Sequence, residues 1–170
     1  ITTELVTVRT SGDKFQESLL AGIGVGVFSK ELDDALLEHR TDIAVHSLKD
    51  LPSTLHDDLC VAAVPPRESP FDVRISPAGQ DIKDLPTGAR VGTSSPRRQA
   101  QLLRFRPDLE IVPIRGNVDT RLRKTRDGEC DGTILAHAGL LRLGRSEVIQ
   151  SVMDPQVMLP AVSQGAIGVV

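Results

Sequence analysis

The sequence predicts an α/β fold of two lobes, with parallel-rich sheets flanked by helices and a double crossing between the lobes. Three observations predict it. Between residues 90 and 143, short apolar runs alternate with helical patterns, and continuous apolar strands of that kind belong in a parallel sheet covered by helices. Two proline-bearing stretches, VPPRESPFD at 64–72 and MLPAVSQG at 158–165, bracket the middle of the chain. A last apolar run in GAIGVV then returns to the first lobe. The expected boundaries are 1–65 with 166–170 for the first domain, 66–70 and 160–165 for the hinge segments, and 71–159 for the second domain.

Each element has its own signal. ELVTVR at 4–9 alternates and carries β-branched residues, so it reads as a strand. Ser29 is placed to cap a helix through KELDDALLEHR, with Leu32, Leu36 and Leu37 on one face and Glu31, Asp33, Asp34 and Glu38 in water. IAVH at 43–46 and CVAAV at 60–64 read as short buried strands. In the second lobe RVGT at 90–93 is a strand, followed by a helix in SPRRQAQLLRF with Ser95 at its cap and Pro96 in its first turn. EIVPIR at 110–115 is a strand, and NVDTRLRKTRDG a helix ended by Gly128. GTILA at 132–136 is a strand, and HAGLLRLG a short helix. The chain opens on ITTELVTVRT, with neither Met nor signal-like run, and stops inside a strand pattern, so a fragment is expected.

Composition excludes several classes. The 170 residues are 39% hydrophobic and 25% charged, the balance of a globular chain, and no apolar run is long enough to span a bilayer. A net charge of -3, four Phe and no Trp or Tyr argue against nucleic-acid binding, which needs basic surfaces and stacking platforms. Cys60 and Cys130 form no CxxC pair, and His39, His46, His56 and His137 show no zinc-ligand spacing, so neither a metal nor a disulfide framework is expected. Cys60 reads as core and Cys130 as a loop or strand-edge thiol.

The chemistry concentrates at strand ends. Ser94, Ser95, Arg97 and Arg98 follow the first strand of the second lobe, Arg115, Gly116, Asn117 and Arg121 the next, and His137, Ala138, Gly139 and Arg142 the third. Ligands of open α/β sheets sit beyond the carboxyl ends of strands, where helix N-termini favour anions. Residues 97–126 hold eight Arg and one Lys against three acids, and the Arg fork suits carboxylates and phosphates. Arg104, Arg106, Arg123, Lys124 and Arg126 read instead as solvated charges. Across the expected cleft, HSLKD at 46–50 ends a buried strand. Asp50, facing many cations, should stay ionised with its pKa pulled down, ready to stabilise a cationic intermediate or to move a proton. His46 reads as a packed, hydrogen-bonded histidine.

Taken in order, DIAVHSLKDLP, VGTSSPRRQAQL, IRGNVDTRL, AHAGLLRLG and LPAVSQGAIG resemble the porphobilinogen deaminases (hydroxymethylbilane synthases) across almost the whole chain. The resemblance implies a transferase of three α/β domains, the first two like a type II periplasmic binding protein. It carries a covalent dipyrromethane cofactor and condenses four porphobilinogen units, with loss of ammonia, into hydroxymethylbilane for heme or chlorophyll synthesis. It also implies a monomeric parent enzyme in the cytoplasm or a plastid, with polycarboxylate pyrroles as ligands and neither nucleic acid nor membrane as partner.

By the same resemblance Asp50 is the catalytic aspartate, stabilising positive charge as the aminomethyl group leaves. Ser47, Lys49, Asp50, Thr93, Ser94, Ser95, Arg97, Arg98, Ala136 and Gly139 hold the cofactor. Phe28, Arg115, Gly116, Asn117, Arg121, Arg142 and Gln164 hold the substrate or growing chain. This sequence departs from the family in three ways. It lacks the opening strand with its TRxSxLA phrase. It lacks the third domain, whose cysteine anchors the cofactor, a role that neither Cys60 nor Cys130 matches. It has Val25 where a Lys or Arg is common. The fragment alone is therefore expected to be inactive. A non-enzymatic two-lobed protein binding a small anion is the competing reading, and it leaves HSLKD unexplained.

Overall fold

The computed structural model describes residues 2–8 and 29–170, and the chain divides into two compact units, residues 1–67 with 166–170 and residues 68–165. The α/β class is as expected.

In the first unit, α1 spans Lys30–Leu37 and buries Ala35 and Leu36. Ser29 stands at its N-cap with helical backbone angles, and its side chain makes no capping bond; the Ser29 carbonyl accepts the amides of Leu32 and Asp33 instead. Strand β1 (Val45–Ser47) runs antiparallel to the last strand of the chain, β7 (Ile167–Val169), with His46 opposite Gly168. A 3-10 turn, Leu48–Asp50, follows β1 directly. Leu36, Ala44 and Val170 form a small core, with Leu32, Leu51, Leu55 and Leu59 packed on it.

Three expectations fail here. Residues 2–8 form no strand and all but the last are exposed, and Arg9 lies outside the described residues. IAVH is only half buried: Ala44 and His46 point inward, while Ile43 and Val45 are each 60% exposed, as the two-residue period of a one-sided sheet requires. CVAAV is exposed throughout, Cys60 included, and contributes one bridge, Ala63 to Val169. Its apolar composition reflects no interior position.

The second unit is a five-stranded sheet of order β4-β3-β5-β2-β6. β3 (Arg90–Gly92) lies parallel to β4 (Glu110–Val112) and to β5 (Gly132–Ala136). β2 (Asp72–Ile75) and the short β6 (Ser151–Val152) complete it, β2 being antiparallel to both neighbours. Alternation along the strands feeds two apolar layers. Val91 and Ile134 join Ile82, Leu85, Leu102, Leu109, Met153 and Met158 on one face, while Val73, Ile75 and Leu135 join Leu140 on the other. Full burial of side chains such as Leu102, Ile134 or Leu140 contributes roughly 1.5–3 kcal/mol each.

The helices begin where their caps say. α2 (Pro96–Phe105) has Pro96 in its first turn, and the Ser95 hydroxyl oxygen accepts the Arg98 amide at 3.4 Å. α3 (Val118–Arg126) is capped by Asn117, whose Oδ1 accepts the Thr120 amide at 2.9 Å. α4 (His137–Arg142) leaves β5 without a gap. Among the described residues no helix is long and apolar enough to cross a membrane.

β2 begins at Asp72, the last residue of the proline-bearing stretch that reads as linker. Its face toward α2 carries two charged residues, Asp72 and Arg74, both buried. Arg74 donates to the Gly79 carbonyl at 3.2 Å and leaves Nε and Nη1 without partners. Arg106 is a further correction. It is anchored rather than solvated, donating to the carbonyls of Ile82, Lys83 and Leu85 and paired with Asp108 at 2.6 Å.

Candidate functional site

Because β3, β4 and β5 are parallel, their carboxyl ends share one edge of the second unit. Thr93, Ser94, Ser95, Arg97 and Arg98 follow β3; Arg115, Gly116, Asn117 and Arg121 follow β4; Ala136, His137 and Gly139 lie at the end of β5. Asp72, at the start of the antiparallel β2, stands opposite Ala136 and so joins the same edge.

The hydroxyl groups are partly engaged by the backbone. Ser94 Oγ donates to the Ile114 carbonyl at 3.0 Å, and Thr93 Oγ1 accepts the Ser95 amide at 3.2 Å. Gly116 turns the chain at φ 112°, and a Cβ there would come 2.6 Å from Thr120 Cγ2, so only glycine fits. That turn presents its carbonyl to Arg121 Nε at 2.8 Å. Burial pushes the Arg121 guanidinium below its usual pKa, and the like charges of Arg98 and Arg115 push it the same way. Three cations thus bear on one another at the strand ends, an arrangement that an anion would relieve.

Arg97 and Arg98 meet a partner that sequence reasoning missed. Asp72, fully buried, takes Arg97 Nη2 on Oδ2 at 2.6 Å and Arg98 Nη2 on Oδ1 at 2.7 Å. Gln164 Nε2 adds a third bond to Oδ1 at 2.9 Å and also donates to the Pro70 carbonyl. Burial alone would raise the Asp72 carboxyl. The charge and hydrogen bond of Arg98, with the hydrogen bonds of Arg97 and Gln164, outweigh it and hold the carboxyl below its ordinary range. Arg97 also donates to the Leu159 carbonyl, Arg98 Nη1 donates to the Ile134 carbonyl, and Arg98 Nε is buried without a partner. The only sequence signal for Asp72 is an acid in SPFDVRI, inside what reads as linker.

Where the chain enters and leaves this unit, other predicted residues stitch backbone to backbone. Arg142 Nη2 donates to the Gly165 carbonyl at 2.7 Å, and the Glu68 amide donates to the same carbonyl. Gly165 has φ 88°, and a Cβ there would lie 2.4 Å from the Glu68 carbonyl oxygen. His137 Nδ1 pairs with Ser69 Oγ at 2.8 Å.

In the first unit, Ser47, Lys49 and Asp50 lie together at the end of β1 and in the turn after it, all exposed. Contrary to expectation, the Asp50 carboxyl is pushed up rather than down. Desolvation by the surrounding protein raises it even though the residue retains contact with water, and the pull of Lys49 and His46 is too weak to reverse that. His46 is buried as expected, but its Nε2 has no hydrogen bond, and burial pushes its pKa down against the pull of Asp33 and Asp50. Phe28 and Val25 lie outside the described residues. No group of three or more metal-ligating side chains occurs among the described residues.

Comparison with known proteins adds the family. The family model "Porphobilinogen deaminase, dipyromethane cofactor binding domain" matches residues 1–170. A porphobilinogen deaminase of Syntrophobacter fumaroxidans is 51% identical over 98% of this chain and 54% of its own length. That of Ehrlichia chaffeensis is 48% identical over 99% of this chain and 57% of its own. The chain therefore spans about half the length of the curated relatives it matches. Among solved structures, the VFT2 domain of Bordetella pertussis BvgS aligns at TM-score 0.44 and 16% identity, over 82% of this chain and 59% of that one. Matched from its first residue to its last by the family model, the chain belongs to the porphobilinogen deaminase family, of which it carries the dipyrromethane-cofactor-binding domain.

Proposed function

We propose that this chain is the ligand-holding part of a transferase that joins four porphobilinogen molecules into the linear tetrapyrrole hydroxymethylbilane, in tetrapyrrole biosynthesis. The observation that carries the reading is the set of guanidiniums gathered after parallel strands, where Arg98 and Arg115 bear on a half-buried Arg121. Porphobilinogen and dipyrromethane carry acetate and propionate groups, and a donor-rich site with surplus positive charge suits them. Family membership supports the same assignment. It also supports a monomeric parent enzyme in the cytoplasm or a plastid.

The cofactor fits the residues present. Thr93 and Ser95 use their oxygens as acceptors for backbone amides, which leaves each hydroxyl hydrogen able to reach a carboxylate. Arg97, with its side chain 26% exposed, can add its charge; on the first unit Lys49 offers a charge and Ser47 a hydroxyl. Ala136 and Gly139 offer backbone at the start of α4, and Asn117 and Gly116 shape the turn beside Arg115 and Arg121. When bound, dipyrromethane supplies the primer to which pyrrole units are added.

Asp50 is the group suited to the chemistry. Its carboxyl is raised, so it exchanges a proton at higher pH than an ordinary aspartate, and as the anion it stabilises positive charge nearby. Arg142 and Gln164 support the site by holding the chain at Gly165 and Pro70.

The test uses the full-length parent enzyme. Wild type should convert porphobilinogen to hydroxymethylbilane, and Arg121→Leu should raise the KM about tenfold or more by removing a charged hydrogen-bond donor. Binding of porphobilinogen by wild type without any condensation would favour a non-enzymatic anion-binding protein instead.

A further inference from the structure

The proposed chemistry makes no use of Asp72, yet its carboxylate accepts three hydrogen bonds at the basic edge. It is fully buried, so no ligand touches it, and its two oxygens accept from Arg97, Arg98 and Gln164. Arg97 and Arg98 are neighbours in the first turn of α2, where the helix diverges their side chains and their like charges repel. A single carboxylate placed between them overcomes both effects, with one oxygen taking each fork. Carbonyls then fix the far ends of the forks, Leu159 for Arg97 and Ile134 for Arg98. Two guanidiniums, those of Arg97 and Arg98, thereby share one acid, and the charges of Arg98 and Arg115 still bear on Arg121 at the strand ends.

We propose, resting on the functional reading above, that Asp72 is the positioning residue of the polycarboxylate site. It sets where the guanidiniums of Arg97 and Arg98 stand, and so where the positive potential beside Arg121 lies. It acts through those arginines and through Gln164, which it ties to the Pro70 carbonyl. Without it, Arg98 is a buried cation beside Arg121 with no counter-charge, and Arg97 keeps only a carbonyl.

The experiment compares full-length Asp72→Asn with full-length Arg106→Gln. The latter breaks the Asp108 pair and the carbonyl contacts on Ile82, Lys83 and Leu85, loosening the same unit away from the basic edge. Asp72→Asn should raise the KM for porphobilinogen about tenfold, with kcat changed much less. Arg106→Gln should lower Tm and leave KM unchanged. A KM in Asp72→Asn that moves no more than in Arg106→Gln overturns the proposal, because a purely structural aspartate predicts that result.

Should Asp72→Asn give no soluble enzyme, Asp72→Asn in an Arg98→Met background removes the stranded cation as well. Its KM should still exceed that of Arg98→Met alone, because Arg97 has lost its anchor, and equal values overturn the proposal. A wild-type enzyme that condenses no porphobilinogen sinks the functional reading only. Titration with tricarballylate then decides the positioning role, with weaker binding by Asp72→Asn supporting it and equal binding refuting it.

Discussion

Asp50 and Asp72 are the same side chain in opposite settings. Asp72 sits inside the second unit, saturated by three donors, with its carboxyl held below the ordinary range. Asp50 sits in a turn of the first unit, and desolvation raises its carboxyl. One aspartate contributes to the fold and orients its neighbours. The other keeps its carboxylate available at a cost to stability. Charge in sequence therefore says little about role; the role is set by how many donors the fold supplies.

The largest effect should come from breaking the saturated site. Asp72→Ala leaves Arg98 buried without its partner, which typically costs about 3–5 kcal/mol. Denaturant unfolding of this chain at neutral pH would measure it. The sign with pH comes from the depressed carboxyl. Its contribution is fully present above the ordinary aspartate pKa and is lost as pH falls through the lower folded-state value. Asp72→Asn should therefore flatten the acid limb of the stability curve. His46, whose folded-state pKa is also lowered, acts earlier on that limb. Stability should begin to fall once pH drops below the ordinary histidine value, because the unfolded chain then takes up a proton that the folded one resists.

A smaller loss is expected at the turn beside Arg121. Gly116→Ala would strain a backbone at φ 112° and crowd Thr120, at a cost of roughly 1–3 kcal/mol. Because that turn carries the carbonyl that holds Arg121 Nε, ligand affinity should weaken along with Tm, which calorimetry and titration can each record.

The smallest stability effect should be at Asp50. A carboxyl raised in the folded state is disfavoured as the anion at neutral pH. Asp50→Asn should thus leave stability within about 0.5 kcal/mol or improve it slightly. A large loss in chemical denaturation would mean that Asp50 serves the fold after all.

The same contrast explains what the sequence made legible. The helices of the second unit announced themselves through Ser95 and Pro96 at one start and Gly128 after one end, and its parallel strands through continuous apolar runs. β2 stayed hidden because half of its inward residues are charged, and nothing local reveals that Arg97, Arg98 and Gln164 converge on Asp72 from 25 or more residues away. CVAAV misled in the other direction, since apolar residues permit burial without requiring it. The arginines of the site were legible by position at strand ends. What each one touches was not, because Arg142 and Arg97 reach backbone carbonyls whose location only the tertiary fold defines. The direction of the Asp50 shift was missed for the same reason, as desolvation has no signature in a linear string.

The division of labour between the two aspartates is tested most directly by turnover of porphobilinogen in the full-length Asp50→Asn enzyme, measured beside its Tm. The expected result is a fall in kcat of about a hundredfold or more with an unchanged Tm. Near-normal turnover, or a loss of activity that simply tracks a collapse in Tm, would contradict it.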